Sequence, residues 1–363
     1  MTLIAGQVSL TPLWSYELDY DVEGLALSEE GEVGAVSNYC AYVFDPYGSL
    51  LNKVCANDWV PDISYCCGKF AFISWDNYAY VLDKSGNLLD KFHAGYDYFS
   101  SITVYQDGYM VCDGECTLFD LNGEELWKAD IGSTTNNPSY YRGYWYVADW
   151  LRDELIIIGN GTILKEMRYI DYESPTDTEV CGKYLAVGAS WHLYLYDLSD
   201  PLNPNELWNV RVDGEQVAFS PDCKYVAVAD RSNRSLKIFD INGNLVLNKE
   251  YNHYGNYSDE VVAVSWEGDR LAVGLKGGMV YVYEVEITET VTTSSSPAPT
   301  TSTSSVAITS SSSSTTTSYE NATSAVLETS TVTHEVTETV TETTEVSALS
   351  LLALALSKAR KRN

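Results

Sequence analysis

The chain has 363 residues, 45% hydrophobic and 12% aromatic, enough for one large core and a further segment. Its 51 acidic against 22 basic side chains leave a formal charge of −29 and a pI near 4.3. A surface so negative repels phosphate backbones and excludes nucleic acid as a partner, while cationic and neutral polar partners stay open.

The opening, MTLIAGQVSLTPLW, lacks the basic region and long apolar run of a signal peptide. Beyond it, one template recurs at a period of about forty residues. Its clearest copy, residues 216–250, reads as four short strands, QVAFS, YVAVAD, SLKIFD and LVLNKE, joined by the turns SPDCK, RSNR and INGN. Seven segments align on its first turn, beginning at Leu27, Ser64, Val104, Tyr140, Thr178, Ser220 and Ser265. Most lead to a third strand that ends in an acidic turn, such as YVFDPYGS, YVLDKSGN or TLFDLNGE, and then to a fourth strand such as LLDKF or ELWKAD. A unit that cannot bury both faces alone, repeated seven times, predicts an all-β, seven-bladed β-propeller over residues 1–287.

The seventh repeat ends at MVYVYEVEI without a fourth strand, whereas PLWSYELD, Pro12 to Asp19, resembles one and precedes the first repeat. The N-terminal strand is therefore expected to complete the last blade and close the ring, leaving no open sheet edge. From Thr288 to Glu345 more than half the residues are Ser or Thr, too few of them apolar to form a core. This is read as a disordered or extended stalk, open to O-glycosylation, reaching about 150 Å or more if stretched. Residues 346–363 join an apolar run to Lys358, Arg360, Lys361 and Arg362, the order of a membrane-anchoring or sorting tail, although the run is short for a span. Sequons at Asn160, Asn233, Asn256 and Asn321 mark possible N-glycosylation.

The 8 Cys exceed what a reducing cytosol usually tolerates. Hairpin register places Cys40 opposite Cys55 and Cys112 opposite Cys116, which predicts two disulfides. Cys181 and Cys223 occupy equivalent turns of adjacent repeats, so a bridge between them stays open. The neighbours Cys66 and Cys67 are read as two small turn residues. With 4 His and no paired CxxC motifs, no metal site is expected.

On a propeller, the loops entering the first strand and those between the second and third share one face. Here these loops are aromatic and acidic: Trp59, Trp75, Tyr96, Asp97, Tyr98, Trp150, Trp191, His192, Tyr254 and Tyr257 form the candidate ligand-binding face. Such rings beside carboxylates suit stacking on sugars or enclosing cationic groups; packing between blades is the competing use. Asp45, Asp83, Asp120 and Asp240 are read as turn formers, since one carboxylate each is far short of a calcium shell. No catalytic triad or phosphate loop stands in a suitable context, and no cofactor is expected.

The phrases VAFSPDCKYVAVAD, SLKIFDINGN and ELWKADIG resemble the WD40, YVTN and PQQ-like propeller superfamily over roughly residues 8–287. Quinoprotein dehydrogenases of that superfamily set a vicinal disulfide against their cofactor on eight blades, whereas Cys66 and Cys67 fall in a turn of a seven-bladed array. With the stalk and basic tail, the chain resembles an archaeal cell-surface protein. The expected function is a non-catalytic, surface-displayed binding or scaffold propeller, with a protein or glycan partner and membrane contact through the tail. The alternatives are an extracellular enzyme, either a quinoprotein-like oxidoreductase or a glycan hydrolase, and a structural subunit of a surface layer or filament.

Overall fold

The computed structural model describes residues 2–293 other than 96–99, 133–134, 170–172 and 253–256. The expected stalk beyond residue 293 and the tail 346–363 lie outside the described residues. So do Tyr96, Asp97, Tyr98, Tyr254, Asn256, Asn321 and the Tyr257 side chain.

Seven four-stranded antiparallel sheets form a ring, the expected seven-bladed β-propeller. Strands are lettered a to d from the axis outward. Blades 1 to 6 cover 24–55, 62–93, 101–130, 135–168, 175–211 and 214–250 in simple a-b-c-d order. The sequence patterns follow from position in the ring. The b strands, such as Val33–Ser37 and Tyr225–Asp230, are buried throughout or at all but their first residue, because a neighbouring blade covers each face. The d strands, such as Leu50–Cys55 and Thr162–Arg168, alternate because their outer face meets water. The core is divided accordingly: seven apolar clusters are each shared by adjacent blades, as where Phe70 and Phe72 of blade 2 pack on Val36 and Val43 of blade 1.

The opening strand, Thr2–Glu17, closes the ring as expected by pairing as strand d of blade 7 with the closing strand, Met279–Thr293. Trp14 lies opposite Val282 and Tyr16 opposite Val280. The two strands pair as far as Thr2 and Thr293, so regular structure continues past residue 287.

The Asp-led c–d turns act as turn formers. Asp45 Oδ1 accepts the Tyr47 and Ser49 amides at 2.9 and 2.8 Å, and Gly48 completes the turn at φ 87°. Each such glycine also leaves room for a side chain of the preceding blade. Trp14 covers Gly48 and Trp208 covers Gly243, and their indole N–H groups donate to Pro46 O at 3.2 Å and Ile241 O at 2.9 Å.

Four disulfides are present. Cys40–Cys55 and Cys112–Cys116 follow the expected register. Cys181–Cys223 joins the a–b turns of blades 5 and 6 across 5.5 Å between Cα atoms. Cys66 and Cys67 correct the sequence reading, because they too are bonded. Adjacent side chains of a regular strand diverge, but the turn holds Cys67 at φ 57° and brings its sulfur back towards Cys66.

Candidate functional site

The seven a strands surround an axial channel, and their inward side chains are polar or small where a packed core would be apolar and large. They act as rungs between blades. Asp62 accepts the Ile63 amide at 2.8 Å and, from blade 3, the Ile102 amide at 2.9 Å. Asp177 and Glu179 of blade 5 accept the Val217 and Phe219 amides of blade 6 at 2.7 and 2.5 Å. Gln216 accepts Val264 N–H at 3.2 Å, and Ser265 Oγ accepts Leu27 N–H at 3.0 Å. Burial dominates the titration of the acidic rungs. It pushes Asp62 up to about 7 and Asp177 up to about 8, against an ordinary 3.8, despite the amides that favour the charged forms. Glu179 is also raised, again chiefly by burial.

The channel opens, on the face of the d–a and b–c loops, into a cavity of about 710 Å³. Asp21, Glu23, Asp113 and Glu215 line it together with Trp75, Arg231 and Lys276. Arg231 bridges Glu215 at 3.2 Å and Glu260 at 2.9 Å, and Lys276 reaches Glu260 at 3.4 Å. Glu23 has no such bridge among the described residues; burial first, and then Asp21, hold its carboxyl up to about 7.

The structure divides the expected aromatic face. Trp59 and Trp75 come together, ring centroids 6.2 Å apart, and the Trp75 amide donates to Trp59 O at 2.9 Å. Trp75 remains 39% exposed at the channel mouth. Trp191 and His192 belong instead to a lateral cavity between the outer strands of blades 4 and 5, where His192 Nδ1 lies 2.8 Å from the buried Glu173. Trp150 is exposed in the b–c turn of blade 4 and lines neither cavity. Of the sequons, Asn160 sits in the c–d turn of blade 4 at φ 49°. The Asn233 side-chain amide donates to buried Asp230 at 2.7 Å.

Sequence reasoning passed over the rungs and Glu23. The available signal for Asp62 and Asp177 was an acid at the a-strand position where other repeats carry Gly24, Ser101 or Ala263.

Fold and site together define a closed seven-bladed β-propeller with a polar axial channel. Among solved structures, the β-propeller domain of Cps50 (Swd1) from Myceliophteria thermophila is similar, with a TM-score of 0.64 and 14% identity over 76% of this chain and 99% of that one. At that identity the likeness shows the fold alone. No protein-family model and no curated protein matches the chain.

Proposed function

We propose that this protein is a non-catalytic binding propeller, displayed at an archaeal cell surface, that takes a glycan or protein partner on the face carrying the channel mouth. The observation that carries this reading is the Trp59–Trp75 pair, its rings half-open to solvent beside a carboxylate-lined cavity. Four disulfides support an oxidising, extracellular setting. The Ser/Thr-rich residues 288–345 and the apolar-basic tail 346–363 support display on a stalk with membrane contact. Glycan-array binding by the purified full chain tests it, with Trp59→Ala and Trp75→Ala run in parallel. Retention of a defined glycan class that both substitutions reduce is the expected result; no retention, or retention that neither substitution alters, would overturn the glycan reading.

A second reading, glycan hydrolysis, draws on Glu23, whose carboxyl near 7 suits a general acid. Release of reducing sugar, abolished in Glu23→Gln with the melting curve unchanged, would select it.

A further inference from the structure

The repeats supply internal controls for one surface feature. In blade 1, Tyr42 faces Lys53 across strands c and d, and the lysine ammonium lies 4.6 Å from the ring centroid. In blade 2, Tyr80 faces Lys91, whose ammonium lies 4.3 Å from Tyr80, 4.1 Å from Tyr78 and 3.6 Å from Asp76. The fold thus builds a cation seat at this register from tyrosine rings and a carboxylate, and fills it with its own lysine.

Blade 5 keeps the tyrosine of this pair and replaces the lysine, while His192, paired with Glu173, stands where blade 2 has Tyr78. The matching pair is Tyr194 opposite Asn209. Tyr169, at the end of blade 4, places its ring 4.9 Å from Tyr194, and Tyr196 stacks 6.2 Å away at 19°. Glu173 and Glu206 stand in the same cavity, which measures about 700 Å³. Arg168 and Arg211 also line it, and neither forms an ion pair among the described residues. A cavity with a tyrosine seat and two guanidinium groups is matched by a ligand bearing both charges.

We propose that the lateral cavity of blade 5 binds a small organic zwitterion, its ammonium group against Tyr169, Tyr194 and Tyr196 and its carboxylate met by Arg168 and Arg211. Cation–π attraction holds one end, and charge-assisted hydrogen bonds the other. The proposal is independent of the channel-mouth reading, because the two cavities share no lining residue.

Isothermal titration of the full chain with glycine betaine, choline and sodium acetate tests it. Saturable binding of betaine is expected, with choline about tenfold weaker for want of the carboxylate contacts. Asn209→Lys transplants the Tyr–Lys pair of blades 1 and 2 into blade 5, so it is expected to fold and to lose betaine binding. Tyr194→Leu should also lose binding, while Tyr42→Leu in blade 1 should bind like the parent. Absence of saturable betaine binding, or parental affinity in folded Asn209→Lys, would overturn the proposal. Choline binding as tightly as betaine would overturn its carboxylate half.

Discussion

Asp62 and Asp177 each hold a neighbouring blade by a backbone amide, yet each is buried enough to keep its proton close to neutrality. Their folded pKa values, about 7 and about 8, lie above the unfolded 3.8. The folded state therefore binds more protons than the unfolded chain between those limits. The stability these groups contribute is complete below pH 4, declines as pH rises, and is lost through pH 7 to 8. Each group can impose a slope of up to about 1.4 kcal/mol per pH unit within that window. The amide oxygen of asparagine still accepts the backbone N–H, but asparagine does not titrate. The double variant Asp62→Asn/Asp177→Asn is expected to lose less melting temperature between pH 5 and 8 than the parent, with the buried glutamates Glu23 and Glu179 accounting for what remains; parallel losses in scanning calorimetry would refute the assignment. These residues were not legible in the sequence, because an inward acid on an a strand has the same alternating pattern as an exposed one. The cross-strand cysteines were legible, since pairing register alone fixes Cys40 opposite Cys55.

Neighbouring blades lock at the outer strand through a tryptophan laid on a glycine turn. Trp14 does this where the ring closes: its ring lies 5.5 Å from Phe44, its N–H reaches Pro46, and Arg270 donates to the same carbonyl at 2.6 Å. Removing a well-packed Trp costs about 3–5 kcal/mol, and a half-buried one less, so Trp14→Ala is expected to cost about 2–3 kcal/mol in urea unfolding. Trp208→Ala should cost a similar amount, because that indole repeats the arrangement on Gly243. Leu13→Ala, next to Trp14 but 42% exposed, should change stability by less than about 0.5 kcal/mol. If Trp14→Ala and Leu13→Ala unfold alike, the lock does not contribute as described. The motif x-L-W followed by a turn of the next repeat was visible in the sequence as a strand signal. Its packing partner was not, because the glycine it covers lies about one repeat ahead. The divided aromatic face has the same origin: whether a loop Trp meets the axis or a lateral groove depends on the adjacent blade, which the local pattern around Trp75 or Trp191 does not encode.

At the scale of the whole ring, the number of blades and the mode of closure were readable, because a missing fourth strand at one end and a spare one at the other define a single join. That join is a pairing of distant segments: Thr2 lies opposite Thr293 and Glu17 opposite Met279. Closure therefore depends on the contacts of the opening strand and not on its place in the chain. Two rearrangements separate these. Deleting residues 1–20 exposes the outer edge of Met279–Thr293 and uncovers Phe44, so the melting temperature should fall sharply and self-association should appear. A circular permutant that starts at Tyr20, runs to Thr293, and returns through Asn-Gly to Thr2–Asp19 turns the same pair into an ordinary hairpin. The new ends fall between Asp19 and Tyr20, both exposed, and the Leu18 amide keeps its bond to Gly278 O. The permutant should match the parent's circular dichroism and melt within about 5 °C of it, the range of a 1 kcal/mol change. A permutant that melts like the deletion would mean the opening strand acts by its position in the chain, and the account of closure would fail.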